Sequence, residues 1–142
     1  MSNNLLKGKR GIVFGALDEK SIAWAVAKKC VEQGAQITLT NAPVALRFGK
    51  INELAEELNT IVIPCDATNM EDISALIGQS MDHLGGKIDF ILHAIGMSLN
   101  VRKKRAYTDI KHDWMLKTFD ISAISFHKVC LLYTSPSPRD RG

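Results

Sequence analysis

The chain has 142 residues, of which 46% are hydrophobic and 23% charged, with a formal net charge of +3. That length is enough to bury a single domain core, and the charge is too mild to imply nucleic acid as a partner. No apolar run has the roughly 18 residues of a membrane span, Met1–Lys7 lacks the basic-then-apolar layout of a secretory leader, and the scattered Cys30, Cys65 and Cys130 fit a reduced cytoplasmic protein without disulfides or a metal site. In chain order, Gly11–Gly15 reads as a first strand. Ser21–Gln33 reads as a helix with Ile22, Val26 and Cys30 on its inward stripe and Gly34 as its stop. Gln36–Thr40 is a second strand, and Ala45–Leu58 a second helix burying Ile51, Leu54, Ala55 and Leu58. Thr60–Pro64 is a third strand. Thr68-x-x-Glu71 signals the start of a third helix over Met70–Leu84, which stops at Gly85-Gly86. Ile88–His93 is a fourth strand, apolar on both faces. A polar loop, Ser98–Asp109, leads to a fourth helix over His112–Val129. Short apolar strands alternating with amphipathic helices specify an α/β fold of parallel βαβ units. They make the first half of a doubly wound sheet with strand order 3-2-1-4.

The pattern changes at Cys130. Ser135-Pro136-Ser137-Pro138 cannot extend a helix, because proline lacks the N–H and constrains the residue before it. Residues 130–142 therefore read as a disordered or non-native tail, with 1–129 as the native part. Reverse translation of Cys130–Asp140 permits a string resembling the transposon-end adapter of shotgun sequencing libraries. On that reading the natural protein continues elsewhere past Val129.

The run Phe14-Gly15-Ala16-Leu17-Asp18-Glu19-Lys20-Ser21-Ile22-Ala23-Trp24 carries the most information. A strand, a glycine-bearing turn and a helix start form the place where α/β folds hold a dinucleotide diphosphate. The free N–H groups of the first helical turn and the positive end of the helix dipole face the anion. The usual Gly-x-Gly-x-x-Gly is absent: Gly15 alone remains, and Ser21-Ile22 stands where the later glycine would be. Gly15 permits either close approach of a ligand or a plain tight turn, and Ser21 is either a ligand contact or an N-cap. The second strand runs into Thr40-Asn41-Ala42, where an acidic side chain usually accepts from the ribose hydroxyls. Asn41 can bond a hydroxyl but brings no charge, and Arg47 could meet a 2′-phosphate. Asp66 is at least a turn former before the third helix. Ile95 and Gly96 end the fourth strand, at the carboxyl edge where ligands sit. His93 reads as a satisfied core side chain, Cys30 and Cys65 as small core hydrophobes, and Trp24 and Trp114 as packing or interface groups.

These residues also carry a resemblance. Gly8-Lys9-Arg10-Gly11, Phe14-Gly15, Lys20-Ser21-Ile22-Ala23, Asp66-Ala67-Thr68, His93-Ala94-Ile95-Gly96 and Asp120-Ile121-Ser122-Ala123-Ile124-Ser125-Phe126 resemble a divergent short-chain dehydrogenase group. That group contains the bacterial enoyl-acyl-carrier-protein reductases, and the likeness runs from Leu5 to Val129. The His-x-Ile-Gly and Asp-Ile-Ser stretches are the most selective, since ordinary short-chain dehydrogenases usually carry Asn-Asn-Ala-Gly at the former place. The resemblance implies a Rossmann-type dinucleotide fold, of which this chain is the truncated N-terminal part. It implies cofactor contacts from Gly15, Ser21, Ile22, Asn41, Ala42, Asp66, Ala67, Ile95 and Gly96, with Asp66 and Ala67 at the adenine and Ser98 near an enoyl substrate. It favours NADH over NADPH, an acyl-carrier-protein-bound substrate and a cytoplasmic homo-oligomer. It places no catalytic residue here: the group's Tyr and Lys, with six residues between them, follow a fifth strand. Tyr107 and Lys111 match the ordinary Tyr-x-x-x-Lys spacing but fall before the fourth helix, so they are expected not to be catalytic. Arg102-Lys103-Lys104-Arg105 is either a solvated loop or an attractor for an anionic ligand or an acidic carrier protein. Two other readings stay open, a short-chain reductase acting on a carbonyl and a non-catalytic nucleotide-binding module.

Overall fold

The computed structural model describes residues 3–133. Three parallel strands, β1 (Arg10–Phe14), β2 (Gln36–Thr40) and β3 (Phe90–His93), form a sheet in the order β2-β1-β3. The chain begins in the central strand, winds to one side, then crosses to the other. The winding direction thus reverses at β1, and a crevice opens at the carboxyl ends of β1 and β3. The third strand expected over Thr60–Pro64 is reduced to an isolated parallel bridge between Leu39 and Val62. The Leu39 N–H donates to the Ile61 carbonyl at 3.1 Å, and the Leu39 carbonyl accepts from the Ile63 N–H at 2.9 Å. One step further the Cys65 N–H donates to the Asn41 carbonyl at 3.0 Å, beyond the end of β2, so the pairing runs along the strand without a full ladder. The segment still lies outside β2, so the 3-2-1-4 arrangement is present with its outermost member shortened to a bridge.

Alternation along β1 divides the core between two faces. Val13 joins Ile37, Leu39, Ala23, Trp24, Ala27, Ile51 and Leu54 on one face. Ile12 and Phe14 join Ile63, Cys65, Ile73, Leu76 and Val129 on the other. Helix α1 (Ile22–Glu32) is bounded by Ser21 and Gln33, but its inward face is Ala23, Trp24 and Ala27. The expected Ile22-Val26-Cys30 stripe is therefore a correction: Ile22 is 76% exposed, and Val26 and Cys30 are only half-buried. Small alanines let the helix sit close on the sheet, whereas a count of large apolar residues points one position away.

The second helix is also split. A 3-10 turn at Ala45–Arg47 precedes α2 (Ile51–Glu57). Between them the Lys50 N–H donates to the Leu17 carbonyl at 2.7 Å, and a Cβ at Gly49 would stand 2.8 Å from that same oxygen. The crossing of the first turn thus interrupts the helix. The expected inward residues Ile51, Leu54 and Ala55 are buried, and Leu58 packs at their edge.

Helix α3 spans Met70–Leu84 as its pattern predicts, but its cap is Asn69, whose Oδ1 accepts from the Asp72 N–H at 3.0 Å. The Thr68 hydroxyl is drawn instead to Asp66 Oδ1 at 2.7 Å, so Thr68 and Glu71 do not form the capping pair. The fourth strand shortens to β3. The Ser98–Asp109 loop contains a short helix α4 (Leu99–Arg102) and a 3-10 turn, Tyr107–Asp109. The last helix is α5 (His112–Phe119), a π turn at Asp120–Ile124, and α6 (Ser125–Tyr133). It continues through Cys130, because Leu131 and Leu132 are good helix formers and Leu132 packs on the second core cluster. The proline-rich part of the expected tail, 134–142, lies outside the described residues.

Candidate functional site: a cleft at the carboxyl ends of the strands

A cleft of about 590 Å³ opens at the carboxyl ends of the strands. Its walls come from three turns. Phe14 ends β1 and Leu17 follows it, Asn41 to Ala45 and Phe48 follow β2, and Ile95, Gly96 and Met97 follow β3. Cys65 to Thr68, Arg102 and Ile121 close the remainder. Of the expected site residues, Asn41, Ala42, Asp66, Ala67, Ile95 and Gly96 line this cleft together. Gly15, Ser21 and Ile22 belong to the adjoining turn. Ser98 is not among the lining residues; its hydroxyl caps α4 by accepting from the Val101 N–H at 3.4 Å.

The β1–α1 turn is a built loop. Gly15 has φ +98°, and a Cβ there would stand 2.0 Å from the Ala94 carbonyl oxygen. Glycine is therefore required by the crossing of two backbones, whatever binds beside it. The Ser21 hydroxyl donates to the Asp18 carbonyl at 2.7 Å and accepts from the Leu17 N–H at 3.1 Å. It makes no cap bond within α1. The N–H groups of Ile22 and Ala23 have no acceptor among the described residues, which leaves two donors and the helix dipole for an anion.

Asn41 does something the sequence did not show. Its Nδ2 donates to the Ala16 carbonyl at 2.9 Å, and its Oδ1 accepts from the Ala42 N–H at 2.8 Å. The side chain thus ties the first turn to the second, and its amide is largely spent on that task. Asp66 is exposed. Its Oδ1 accepts from the Thr68 N–H and hydroxyl at 2.9 and 2.7 Å, while its own N–H donates to Asp72 Oδ2 at 3.0 Å. One carboxylate oxygen is engaged in the turn, and among the described residues the carboxylate is the only negative group lining the cleft. Cys65, beside it, is buried, and burial together with Asp72 and Asp66 pushes its thiol up to about 12, so it is protonated and unreactive.

The Asp-Ile-Ser stretch acquires a physical reason. The π turn puts Ser122 against the chain leaving β3: its Oγ accepts from the Met97 N–H at 3.1 Å and reaches the Met97 carbonyl at 3.4 Å. Ser125 donates to the Ile121 carbonyl at 2.6 Å, which leaves its oxygen to accept from His93 Nε2 at 2.8 Å and defines the neutral His93 tautomer. Burial lowers the His93 pKa, and Phe126 stacks edge-on at 5.5 Å. His93 is thus satisfied as expected, though half-buried. From α6, Lys128 Nζ donates to the Thr68 carbonyl at 2.7 Å and meets Asp120 at 3.3 Å, which joins the two cleft walls. Lys128 was not singled out by the sequence, since a lone lysine inside a helix gives no local signal, and Arg102 was read as part of the basic run and not as a wall of this cleft. Arg47 does not line the cleft. Tyr107 is 89% exposed, and Lys111 Nζ lies over the Trp114 ring at 4.5 Å, so the Tyr-x-x-x-Lys spacing assembles no site. Among the described residues there is no cluster fit to hold a metal ion, and no helix is long and apolar enough to cross a membrane.

A sheet that reverses its winding at β1, with a cleft there, is the N-terminal half of a Rossmann-type α/β fold. Residues 15–136 match the family described as enoyl-(acyl carrier protein) reductase, and the chain belongs to it. An enoyl-[acyl-carrier-protein] reductase [NADH] of Rhizobium meliloti is 36% identical over 129 residues, 89% of this chain and 47% of its own length. The crystal structure of an Alistipes finegoldii FabI–NADH complex matches with a TM-score of 0.88 and 60% identity, over 91% of this chain and 46% of that one. A Bacillus cereus relative, solved with NADP+ and indole naphthyridinone, matches at 0.79 and 31%, over 91% of this chain and 51% of that one. The chain thus spans about half the length of the relatives it matches.

Proposed function

We propose that the whole protein to which this chain belongs reduces the trans-2 double bond of an acyl chain carried on acyl carrier protein, with NADH as hydride donor, in the cytoplasm and as a homo-oligomer. This chain contributes the adenosine and diphosphate side of the cofactor site and no catalytic residue. The observation that carries the reading is the cleft at the reversal point of the sheet in a chain of this family. Asp66 and Ala67 would meet the adenine, the Ile22 and Ala23 N–H groups the diphosphate, and Ile95 and Gly96 the path toward the nicotinamide. When bound, NADH supplies the hydride. The second half would supply a tyrosine to stabilise the enolate and a lysine on the cofactor ribose. NADH is favoured over NADPH because Arg47 is not among the residues lining the cleft and the similar Alistipes structure holds NADH. On this reading residues 1–129 are the native part of a Rossmann domain and the remainder is tail.

The test is NADH oxidation, followed optically, with a trans-2-enoyl thioester. The whole protein is expected to turn over, while residues 1–142 alone show no rate above buffer. A whole protein that reduced a 3-ketoacyl thioester and left the enoyl thioester untouched would instead establish the carbonyl-reductase reading.

A further inference from the structure

One lysine of the last helix reaches the turn that carries the cleft's carboxylate. Val129 of α6 joins Ile73 and Leu76 of α3 in the second core cluster, which brings its neighbour Lys128 to the start of α3. There the first intrahelical bond goes to the Asn69 carbonyl, from the Ile73 N–H at 3.1 Å. The Thr68 carbonyl, one residue earlier, accepts instead from Lys128 Nζ at 2.7 Å. Asp120 Oδ1 holds the same ammonium at 3.3 Å. The Lys128 side chain is 24% exposed, against 49%, 66% and 54% for Lys28, Lys29 and Lys50 in their ion pairs. Such open pairs hold little in place, whereas an ammonium with two anchors and a covered stem is a fixed strut.

Both ends of the strut lead into the cleft. The Thr68 N–H and hydroxyl donate to Asp66 Oδ1 at 2.9 and 2.7 Å. Asp66 Oδ2 and the Ala67 N–H have no hydrogen-bond partner among the described residues. Asp120 opens the π turn that places Ile121 in the cleft wall and Ser122 on the Met97 N–H. Lys128 does not line the cleft itself.

We propose that Lys128 is a positioning residue for the adenine end of the cofactor. It fixes the Thr68 carbonyl against Asp120, and so aims the free Asp66 oxygen at the exocyclic amine and the Ala67 N–H at a ring nitrogen of one purine. This rests on the assignment of Asp66 and Ala67 to the adenine above. Without the ammonium the turn keeps its tie to α3, from the Asp66 N–H to Asp72 Oδ2, but loses its tie to the π turn.

The test compares NADH with deamino-NADH in the whole protein. In the analogue a carbonyl oxygen replaces the adenine amine and the adjacent ring nitrogen carries hydrogen, so the amine donor and the ring acceptor are both lost. The unaltered protein is expected to show a KM about tenfold lower for NADH than for the analogue. Lys128→Met keeps the apolar stem and removes the ammonium. It should raise the NADH KM about fivefold, and leave both the analogue's KM and kcat at saturating cofactor within about twofold. Equal rises for both dinucleotides, an unchanged NADH KM, or an unaltered protein that does not distinguish the two would overturn the proposal. If Lys128→Met does not fold, Asp120→Asn, which frees the ammonium from its second anchor, is expected to narrow the same ratio about twofold; an unchanged ratio refutes it. If the unaltered protein reduces no enoyl thioester, the functional reading fails. Calorimetric dissociation constants for the two dinucleotides then replace KM: the same loss of discrimination upholds the role of Lys128, and equal or absent binding refutes it.

Discussion

The two flanks of the cleft are built from strands that pair with the same neighbour, yet they are held very differently. On the β2 side, Ile37, Thr38, Leu39 and Thr40 are all buried, the Leu39–Val62 bridge covers the outer edge, and the Thr38 and Ser80 hydroxyls pair in the core at 2.7 Å. On the β3 side, all four of Phe90 to His93 are only half-buried, and no strand pairs beyond them among the described residues. Below them, Leu116, Phe119, Phe126 and Leu131 leave large apolar surface exposed. β3 therefore has the composition of a central parallel strand and the exposure of an edge. The β2 wall of the cleft is closed by packing and hydrogen bonds among the described residues. The opposite wall leans on Ser122 and Ser125 and presents a surface that a further strand and helix would cover.

Mutations read this contrast from large to small. Gly15→Ala is expected to be the most damaging, since the new methyl would meet the Ala94 carbonyl at a residue with positive φ. Leu39→Ala, at a fully buried position of β2, should cost about 2–5 kcal/mol in a denaturant titration. Leu92→Ala in β3 should cost about half as much, because its side chain has less surface to lose; equal costs would break the comparison. Self-association tests the same edge without mutation: residues 1–142 should elute as aggregates or broad oligomers in size-exclusion chromatography. A monodisperse monomer with a cooperative melt would show that the β3 flank closes on itself.

On the ligand side, Asp66→Ala in the whole protein should weaken NADH binding by about 1–3 kcal/mol through loss of a charge-assisted acceptor, as read by calorimetry. An unchanged dissociation constant would reduce Asp66 to the turn that precedes α3. Asn69→Ala should cost α3 about 1 kcal/mol without moving NADH affinity.

The pH dependence has a definite sign. Burial holds the folded His93 below its ordinary value of 6.5. Below about that pH the unfolded chain binds a proton that the folded chain refuses, so stability should fall as pH drops through 6.5 toward the folded value. A thermal melt series in which His93→Gln flattens this dependence would assign it. Gly96→Ala should be the mildest change to stability, within about 0.5 kcal/mol, because a Cβ there meets only Ser122 Oγ at 4.0 Å. It should nevertheless weaken NADH binding if that stretch touches the cofactor.

Much of this architecture was legible in the chain itself. Strand β2, helix α3 and the stop of α1 lie where hydrophobic period and capping residues put them, because those signals act within a few residues of where they are written. The meeting of Asn41, Ala42, Asp66, Ala67, Ile95 and Gly96 at one cleft was legible, since the carboxyl ends of parallel strands converge whatever the details of the turns. Decisions that pit one segment against another were not legible. Thr68 loses its capping role because Asp66 claims its hydroxyl. The second helix breaks where Lys50 meets Leu17, and α1 turns Ala23, Trp24 and Ala27 inward because the alanines let it sit close on the sheet. Asn41 reads locally as a ribose contact, and only the packed fold shows it spent on the Ala16 carbonyl. By itself the sequence determined the order of strands and helices and the family to which the chain belongs, because both are carried by local pattern and motif. The tertiary structure decided why Gly15 must be glycine, why the Asp-Ile-Ser turn holds the exit of β3, and why Lys128 meets Thr68, because each depends on a contact between residues far apart in the chain.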